Sequence, residues 1–202
     1  MIGSGACWAL RARERRDWTS WLGAQLLLAI LVQISAELYL LGHGNNHALF
    51  NVYVPMEFGL LLAMSYTFMH SRRERMVVLC AAWPFALAYL WELLHYGTFD
   101  RFVSTSFICG GFTLVAIYAY LLVRAVDRSS RPLSRTPVFW VFAGMVVYFA
   151  ASAPIVGLLH YLNGLDKEVA ASLFVINQVL AMVRYVAVGT GLCLLVNGDD
   201  RW

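Results

Sequence analysis

The sequence predicts an all-α membrane protein, a compact bundle of six transmembrane helices with short loops and both termini in the cytoplasm. Three observations carry this expectation. Of 202 residues, 60% are hydrophobic and 13% charged, about half the charged share of an ordinary soluble domain, and mean hydropathy is +0.65. Six stretches approach the roughly 20 apolar residues that a bilayer helix needs. The basic residues fall almost entirely on alternate loops. So much apolar surface cannot be buried in the core of so small a chain, which argues against a soluble globule and excludes a disordered chain. No run of short alternating segments suggests a β-barrel.

The elements follow in order. A basic segment, residues 1–17, carries Arg11, Arg13, Arg15 and Arg16. It is expected to be cytoplasmic. The first span covers about 18–41. A signal-peptide reading with cleavage after Ala36 would put Ile34 at the −3 position, where a small residue is needed, so the span is expected to stay. The second, 49–69, holds Pro55 near its start and is followed by Arg72, Arg73 and Arg75. The third, 76–96, contains Pro84; the fourth, 103–124, is free of charge between Arg101 and Arg124. A basic loop with Arg128, Arg131 and Arg135 comes next, then the fifth span, 137–161, with Pro154, and the sixth, 169–196. The tail, 197–202, adds Arg201. Only Arg101 and Lys167 fall on the opposite side, so the positive-inside rule places both termini in the cytoplasm and the chain in an inner membrane. The spans 18–196 form one transmembrane domain in this reading. The net charge of +3 is topogenic, and no nucleic-acid partner is implied.

The two halves show no convincing three-plus-three repeat of the transporter kind. Small residues at Gly110 and Gly111, Ala153 and Gly157, and Ala187 and Gly191 are packing signals. The prolines inside spans bend helices. Cys7, Cys80, Cys109 and Cys193 are scattered and form no CxxC pair. Trp18, Trp21, Trp83, Trp91 and Trp140 gather near span ends as an interfacial belt.

Four formal charges fall inside spans: Glu37, Glu57, Glu92 and Arg184. Each costs a few kcal/mol at the bilayer centre, so each is a candidate functional residue. Glu37 and Glu92 lie about one turn from the outer ends of their spans. Glu57 lies about two turns in, and Arg184 roughly 20 Å deep at 1.5 Å per residue. Arg184 cannot lose its proton and has to be paired or wet. Glu57 is its expected partner, with water or Asn177 between them; Asn177 shares a helix face with Arg184, seven residues away. Gln33 and Glu37 share another face. The alternative is a structural ion pair that fixes helix register.

The histidines His43, His47, His95 and His160 all fall toward the outer side, with Asn45, Asn46, Asn51, Tyr53, Tyr96 and Tyr161. Only His70 is expected on the cytoplasmic side. This asymmetry suggests a polar pocket open to the extracytoplasmic side. Its candidate ligand-binding residues are Glu57, Arg184, Asn177, Glu37, Glu92, Asn51 and Tyr53. A metal reading uses His43, His95, His160 and Glu92. Glu92 and His95 are three apart on one helix face, a spacing that does bind metals, and zinc or another divalent ion would make an intramembrane hydrolase with Glu57 or Glu37 as base. Haem is not expected, because the outer histidines sit at the rim. Retinal is excluded because the one lysine, Lys167, lies in a loop.

The segment Asn51-Val52-Tyr53-Val54-Pro55-Met56-Glu57-Phe58 resembles one in uncharacterised bacterial multi-pass membrane proteins. Pro137-Val138-Phe139-Trp140 running to Tyr148-Phe149, and Leu173-Phe174-Val175-Ile176-Asn177 running to Arg184-Tyr185, fit the same pattern. The resemblance covers roughly residues 45–195 and implies a compact six-helix bundle with no established activity.

The function expected from all this is a small-ligand-binding or sensory module that takes a small polar or amphiphilic ligand. A cytoplasmic or membrane protein partner would dock on the Arg-rich loops. The metal-dependent hydrolase is the second reading and a small-solute or proton-coupled transporter the third.

Overall fold

The computed structural model describes residues 17–43, 46–96, 101–128, 132–162 and 167–197. Six helices among them are long and apolar enough to cross a membrane. They are α1 (Asp17–His43), α2 (His47–Thr67), α3 (Arg72–Tyr96), α4 (Ser104–Arg128), α5 (Pro137–Leu162) and α6 (Lys167–Asn197). The shortest, α2, has 21 residues, about 32 Å at 1.5 Å per residue, against a hydrocarbon core of about 30 Å. The outermost residues of the chain, including Cys7 and Arg201, lie outside the described residues.

Local chemistry explains the helix ends. α3 begins at Arg72, four residues before the apolar stretch, because Ser71 and Glu74 form a reciprocal cap. Ser71 Oγ accepts from the Glu74 N–H at 3.1 Å, and Glu74 Oε2 accepts from the Ser71 and His70 N–H groups at 3.2 and 3.0 Å. This satisfies donors that the first turn would otherwise leave open. A short 3-10 turn, Leu133–Arg135, leads into α5. Pro137 opens α5, where a missing N–H costs nothing, and Trp140 Nε1 donates to the Ser134 carbonyl at 2.9 Å, tying the turn to the helix. α1 runs through Gly42 to His43, two residues past the expected span, and α2 starts at His47.

The chain divides into two compact units. The first comprises the residues up to Trp83 and Leu90–Val103; the second comprises Pro84–Tyr89 and everything from Ser104 onward. In the first, α1 packs on α2. Leu22, Gln25, Ala29 and Ala36 form the buried stripe of α1, and Val54, Glu57, Phe58, Leu61 and Met64 that of α2. Both stripes follow the three-to-four-residue period of a one-sided helix contact. In the second unit α5 packs against both α4 and α6. Half of its apolar window is buried, against 17% for α6.

Glycines set how closely these helices approach. A Cβ on Gly111 would stand 2.9 Å from the Ala153 Cβ across the α4–α5 contact. One on Gly144 would stand 2.7 Å from the Ala187 Cβ, and one on Gly191 2.7 Å from the Pro137 carbonyl oxygen. Small residues at facing positions let backbones come together where no hydrophobic force drives helices to associate. Away from these seams the surface is apolar, with Leu27, Leu38, Val77, Trp83, Leu94, Met182 and Val186 all exposed. That exterior suits hydrocarbon better than water.

Gly191→Ala is expected to lower the thermal unfolding temperature of the detergent-purified protein, at a cost of roughly 1–3 kcal/mol for overpacking. Gly189→Ala, where a Cβ meets nothing within 4 Å, should be neutral or stabilising by about 0.5–1 kcal/mol through helix propensity. Equal responses of the two variants would show that Gly191 is not a close-approach point.

Candidate functional site

The buried polar side chains fall into two sets, one in each unit. In the first unit, Glu57 is 4% exposed and Gln25 1% exposed. Gln25 Nε2 donates to Glu57 Oε1 at 2.9 Å across the α1–α2 contact. Gln25 lies three residues beyond Leu22 on α1 and Glu57 three residues beyond Val54 on α2, about one helical turn in each case, which keeps both on the buried stripes, so the bond follows from periodicity. Gln25 Oε1 is itself buried without a hydrogen-bond partner among the described residues.

Asn51, fully buried, takes a different role. Its Nδ2 donates to the Arg101 carbonyl at 2.7 Å, and its Oδ1 accepts from the Val103 N–H at 3.0 Å. One amide thus pairs with two backbone groups of the segment that leads toward α4, as a strand neighbour would. Tyr53 is half-buried and meets Phe50 edge-on, with ring centroids 6.4 Å apart. Glu37 is exposed and accepts a long 3.4 Å bond from Gln33, whereas Glu92 on α3 is buried.

In the second unit, Arg184 on α6 is 2% exposed. Its guanidinium carbon lies 4.2 Å from the ring centroid of Tyr148, 4.8 Å from that of Tyr185 and 5.8 Å from that of Phe149. Arg184 Nη2 donates to the Tyr185 hydroxyl at 2.9 Å. Aromatic faces attract a cation by about 2 kcal/mol or more when it is desolvated. Gly144 makes this approach possible: a Cβ there would lie 3.4 Å from the Arg184 carbonyl oxygen and overlap Ala187. One turn further along α5, Tyr148 then comes over the guanidinium.

Ser152 lies one turn beyond Tyr148 on the same buried face of α5. Its Oγ is buried and has no hydrogen-bond partner among the described residues. Other hydroxyls in these helices fold back onto the carbonyl four residues earlier, as Ser65 does on Leu61, Thr113 on Cys109, Ser172 on Glu168 and Thr190 on Val186. That is the usual refuge of a helical hydroxyl, and Ser152 does not take it. Asn177 Oδ1 is likewise buried without a partner. With Gly144 opposite Ala187 and Gly191 opposite Pro137 and Val141, α5 and α6 run antiparallel, and eight residues along each from the first pair the register brings Ser152 to about the level of Val179. Asn177 is within one turn of that level. Arg184 leans toward the N-terminus of its own helix, hence toward Asn177.

Of the candidate metal ligands, the side chains of His43 and His160 lie outside the described residues. His95 is exposed, its ring 4.8 Å from that of Trp91. Among the described residues no three His, Cys, Asp or Glu side chains come together as a metal site. Glu57 belongs to the first unit and Arg184 to the second, and each is described in its own surroundings.

Sequence reasoning selected Glu57, Arg184 and Asn177 and passed over Gln25, Tyr148, Tyr185 and Ser152. Gln25 was detectable as an amide inside an apolar stretch, on the stripe of Leu22 and Ala29. The tyrosines resemble the many others placed near span ends, and nothing in the sequence sets Ser152 apart from hydroxyls that bond their own helix. Comparison with family models, with curated proteins and with solved structures gives no match to the chain.

Asn51→Ala is expected to destabilise the protein by roughly 1–3 kcal/mol, since it strands the buried Val103 N–H. Asn51→Asp, which keeps the acceptor, should recover part of this. An alanine variant with unchanged thermal unfolding would remove the clamp from the account. A double-mutant cycle on Gln25→Leu and Glu57→Leu should return a coupling of roughly 0.5–3 kcal/mol, the range for residues in direct contact. A coupling of zero would mean that the amide does not serve the carboxylate.

Proposed function

We propose that the chain is a multi-pass inner-membrane protein that binds a small polar or amphiphilic ligand from the extracytoplasmic side, in a sensory or solute-recognition role. The buried polar stripe of α5 and α6 would be the recognition surface. The observation that carries this is the pair of unspent oxygens, Ser152 Oγ and Asn177 Oδ1, at about one level beside a buried, aromatic-framed Arg184. Buried polar atoms are paired in the great majority of structures, and each one left over costs about 1–3 kcal/mol. A polar occupant of that level would recover the cost. The hydroxyl and the amide oxygen supply directional hydrogen bonds, and Arg184 supplies positive potential at short range.

The orientation rests on the charge pattern. Arg72, Arg73 and Arg75 at one end of the helices, with Arg124, Arg128, Arg131 and Arg135, mark the cytoplasmic side under the positive-inside rule. The level of Ser152 and Asn177 then lies toward the opposite side, since α5 rises away from Arg135 and α6 descends from Lys167.

Thermal-shift measurements on the detergent-purified protein with sn-glycerol 3-phosphate, succinate and glycerol test the proposal, alongside native mass spectrometry for a retained small molecule. A shift or an adduct in the wild type that is lost in Ser152→Ala, with the variant's own unfolding temperature unchanged or raised, is the expected result. The reverse pattern, no response in the wild type and a destabilised Ser152→Ala, would make the polar level a structural feature only.

A further inference from the structure

The turn between α2 and α3 is built differently from a plain topogenic loop. We infer that it is a docking surface for an anionic phospholipid headgroup of the phosphatidylglycerol class, held by Arg72, Arg73 and Arg75. The inference rests on the membrane reading above and is independent of the α5–α6 ligand.

The turn is fixed in shape. Thr67 Oγ1 donates to the Met64 carbonyl at 2.7 Å, and the Phe68 and Met69 N–H groups donate to the Ser65 and Tyr66 carbonyls. Met69 is buried beneath it. Trp18, at the start of α1, packs against Phe68 with ring centroids 5.7 Å apart. The turn is therefore anchored to two helices before its charged residues are considered.

Its charges are unevenly committed. Glu74, the one carboxylate of the stretch from His70 to Arg75, is turned back onto the His70 and Ser71 N–H groups. Arg75 Nε donates to the Met69 carbonyl at 3.0 Å, and its guanidinium lies over the Tyr66 ring at 5.0 Å from the centroid. That holds Arg75 beside the turn rather than free in solvent. Arg72 and Arg73 are exposed, and no hydrogen bond or ion pair engages either of them among the described residues. Three arginines thus fall within four residues at the start of α3, next to an anchored turn, and the one acid among them is engaged by backbone donors.

Their depth selects the partner. The apolar window of α1 starts at Trp18 and that of α2 ends at Thr67, so the arginines stand within about a turn or two of the apolar boundary. In a bilayer that is the level of the lipid phosphodiesters, and Trp, Tyr and Phe rings at the same end match the interfacial belt. A guanidinium fork fits phosphate oxygens with two parallel hydrogen bonds, which a diffuse surface potential does not require. Basic residues next to a span are each attracted to an anionic leaflet by about 1 kcal/mol. An anionic lipid is favoured over an acidic protein because the cluster lies at headgroup level and shares its base with interfacial aromatics.

The test uses the full chain in nanodiscs of phosphatidylcholine with and without one-fifth phosphatidylglycerol. Native mass spectrometry of the released protein counts retained lipids, and thermal unfolding is recorded in parallel. The wild type should retain phosphatidylglycerol in preference to phosphatidylcholine and unfold at higher temperature in its presence. Arg72→Gln with Arg73→Gln should lower that retention by about fivefold per arginine, the equivalent of about 1 kcal/mol each. Both residues are exposed and unbonded, so folding in pure phosphatidylcholine should be unchanged. Arg72→Lys with Arg73→Lys should keep part of the retention. Arg128→Gln, at the last residue of α4 in the other basic stretch, should leave it near the wild-type value. Equal retention of the two lipids by the wild type would overturn the inference, as would an equal loss in Arg128→Gln. Protection by millimolar inorganic phosphate as strong as that by the lipid would assign the site to free phosphate. A poly-glutamate peptide that binds here and is not displaced by phosphatidylglycerol vesicles would assign it to an acidic protein. Flotation with neutral vesicles separates these outcomes from a failure of the membrane reading itself.

Discussion

Arg184 imposes the strictest condition in the chain. A guanidinium keeps its proton at any pH the protein meets, and α6 carries this one at a position almost wholly enclosed. Isolated, such a charge would cost several kcal/mol to bury even after relaxation. The second unit answers with geometry. Gly144 removes a side chain so that α6 can lie against α5, Tyr148 then presents its face to the cation, and Tyr185 both accepts a hydrogen bond and adds a second ring. Each part depends on the one before it. A side chain at position 144 would push the helices apart and withdraw Tyr148 from the guanidinium, although the atoms nearest to its Cβ belong to Ala187 and to the Arg184 backbone.

The first unit solves the same problem with amides. Gln25 donates to Glu57, and Asn51 replaces a missing backbone partner for Arg101 and Val103. Carboxamides suit this because they carry donor and acceptor without a net charge. In an apolar setting the cost of an unpaired group is high and the cost of an uncharged paired one is small. Placing Asn51 and Glu57 on one buried face of α2 also removes them from the exterior, which leaves Val52 and Met56 as the residues turned outward.

The fold was legible because length and hydropathy determine so much of it. Every expected span corresponds to a helix, and the largest difference at a start is at α3, which reaches back to Arg72. Hydropathy cannot see that turn, since its residues are charged, but the pattern Ser71-Arg72-Arg73-Glu74 is a capping box written in the sequence. α4 likewise continues through Arg124 to Arg128, because a helix does not stop where its apolar run does. The site was legible only in part. A charge in an apolar stretch announces itself, so Glu57, Glu92 and Arg184 were selected. What surrounds them depends on which helices meet and at what register: Gly111, Ala153, Ala187 and Gly191 are legible in the sequence as small packing residues, but which of them face each other is not, and Gly144, which faces Ala187, stands out by no spacing. Asn51 shows the limit from the other side. Its depth and polarity marked it as a binding residue, and its amide proves to be engaged with the Arg101–Val103 backbone, which no periodicity in α2 could reveal.

The polar groups therefore separate by what stability alone explains. Asn51 satisfies two backbone groups, and Gln25, though its own Oε1 is unpartnered, satisfies a buried carboxylate through Nε2, so each has a structural return. Ser152 offers no such return. Its hydroxyl forgoes the Tyr148 carbonyl one turn back, the partner that comparable hydroxyls on four other turns accept. Alanine would fill nearly the same space at that position without an unspent polar atom, and helix propensity also favours it. Asn177 repeats the pattern on the facing helix at about the same level. Two such departures, within about one turn of each other by helix register and on the helices that bury Arg184, are hard to derive from packing, whereas a polar occupant accounts for both at once. In proteins, local choices that lower stability without structural return concentrate at functional positions, and it is this mismatch, more than the charge of Arg184, that directs attention to the α5–α6 level.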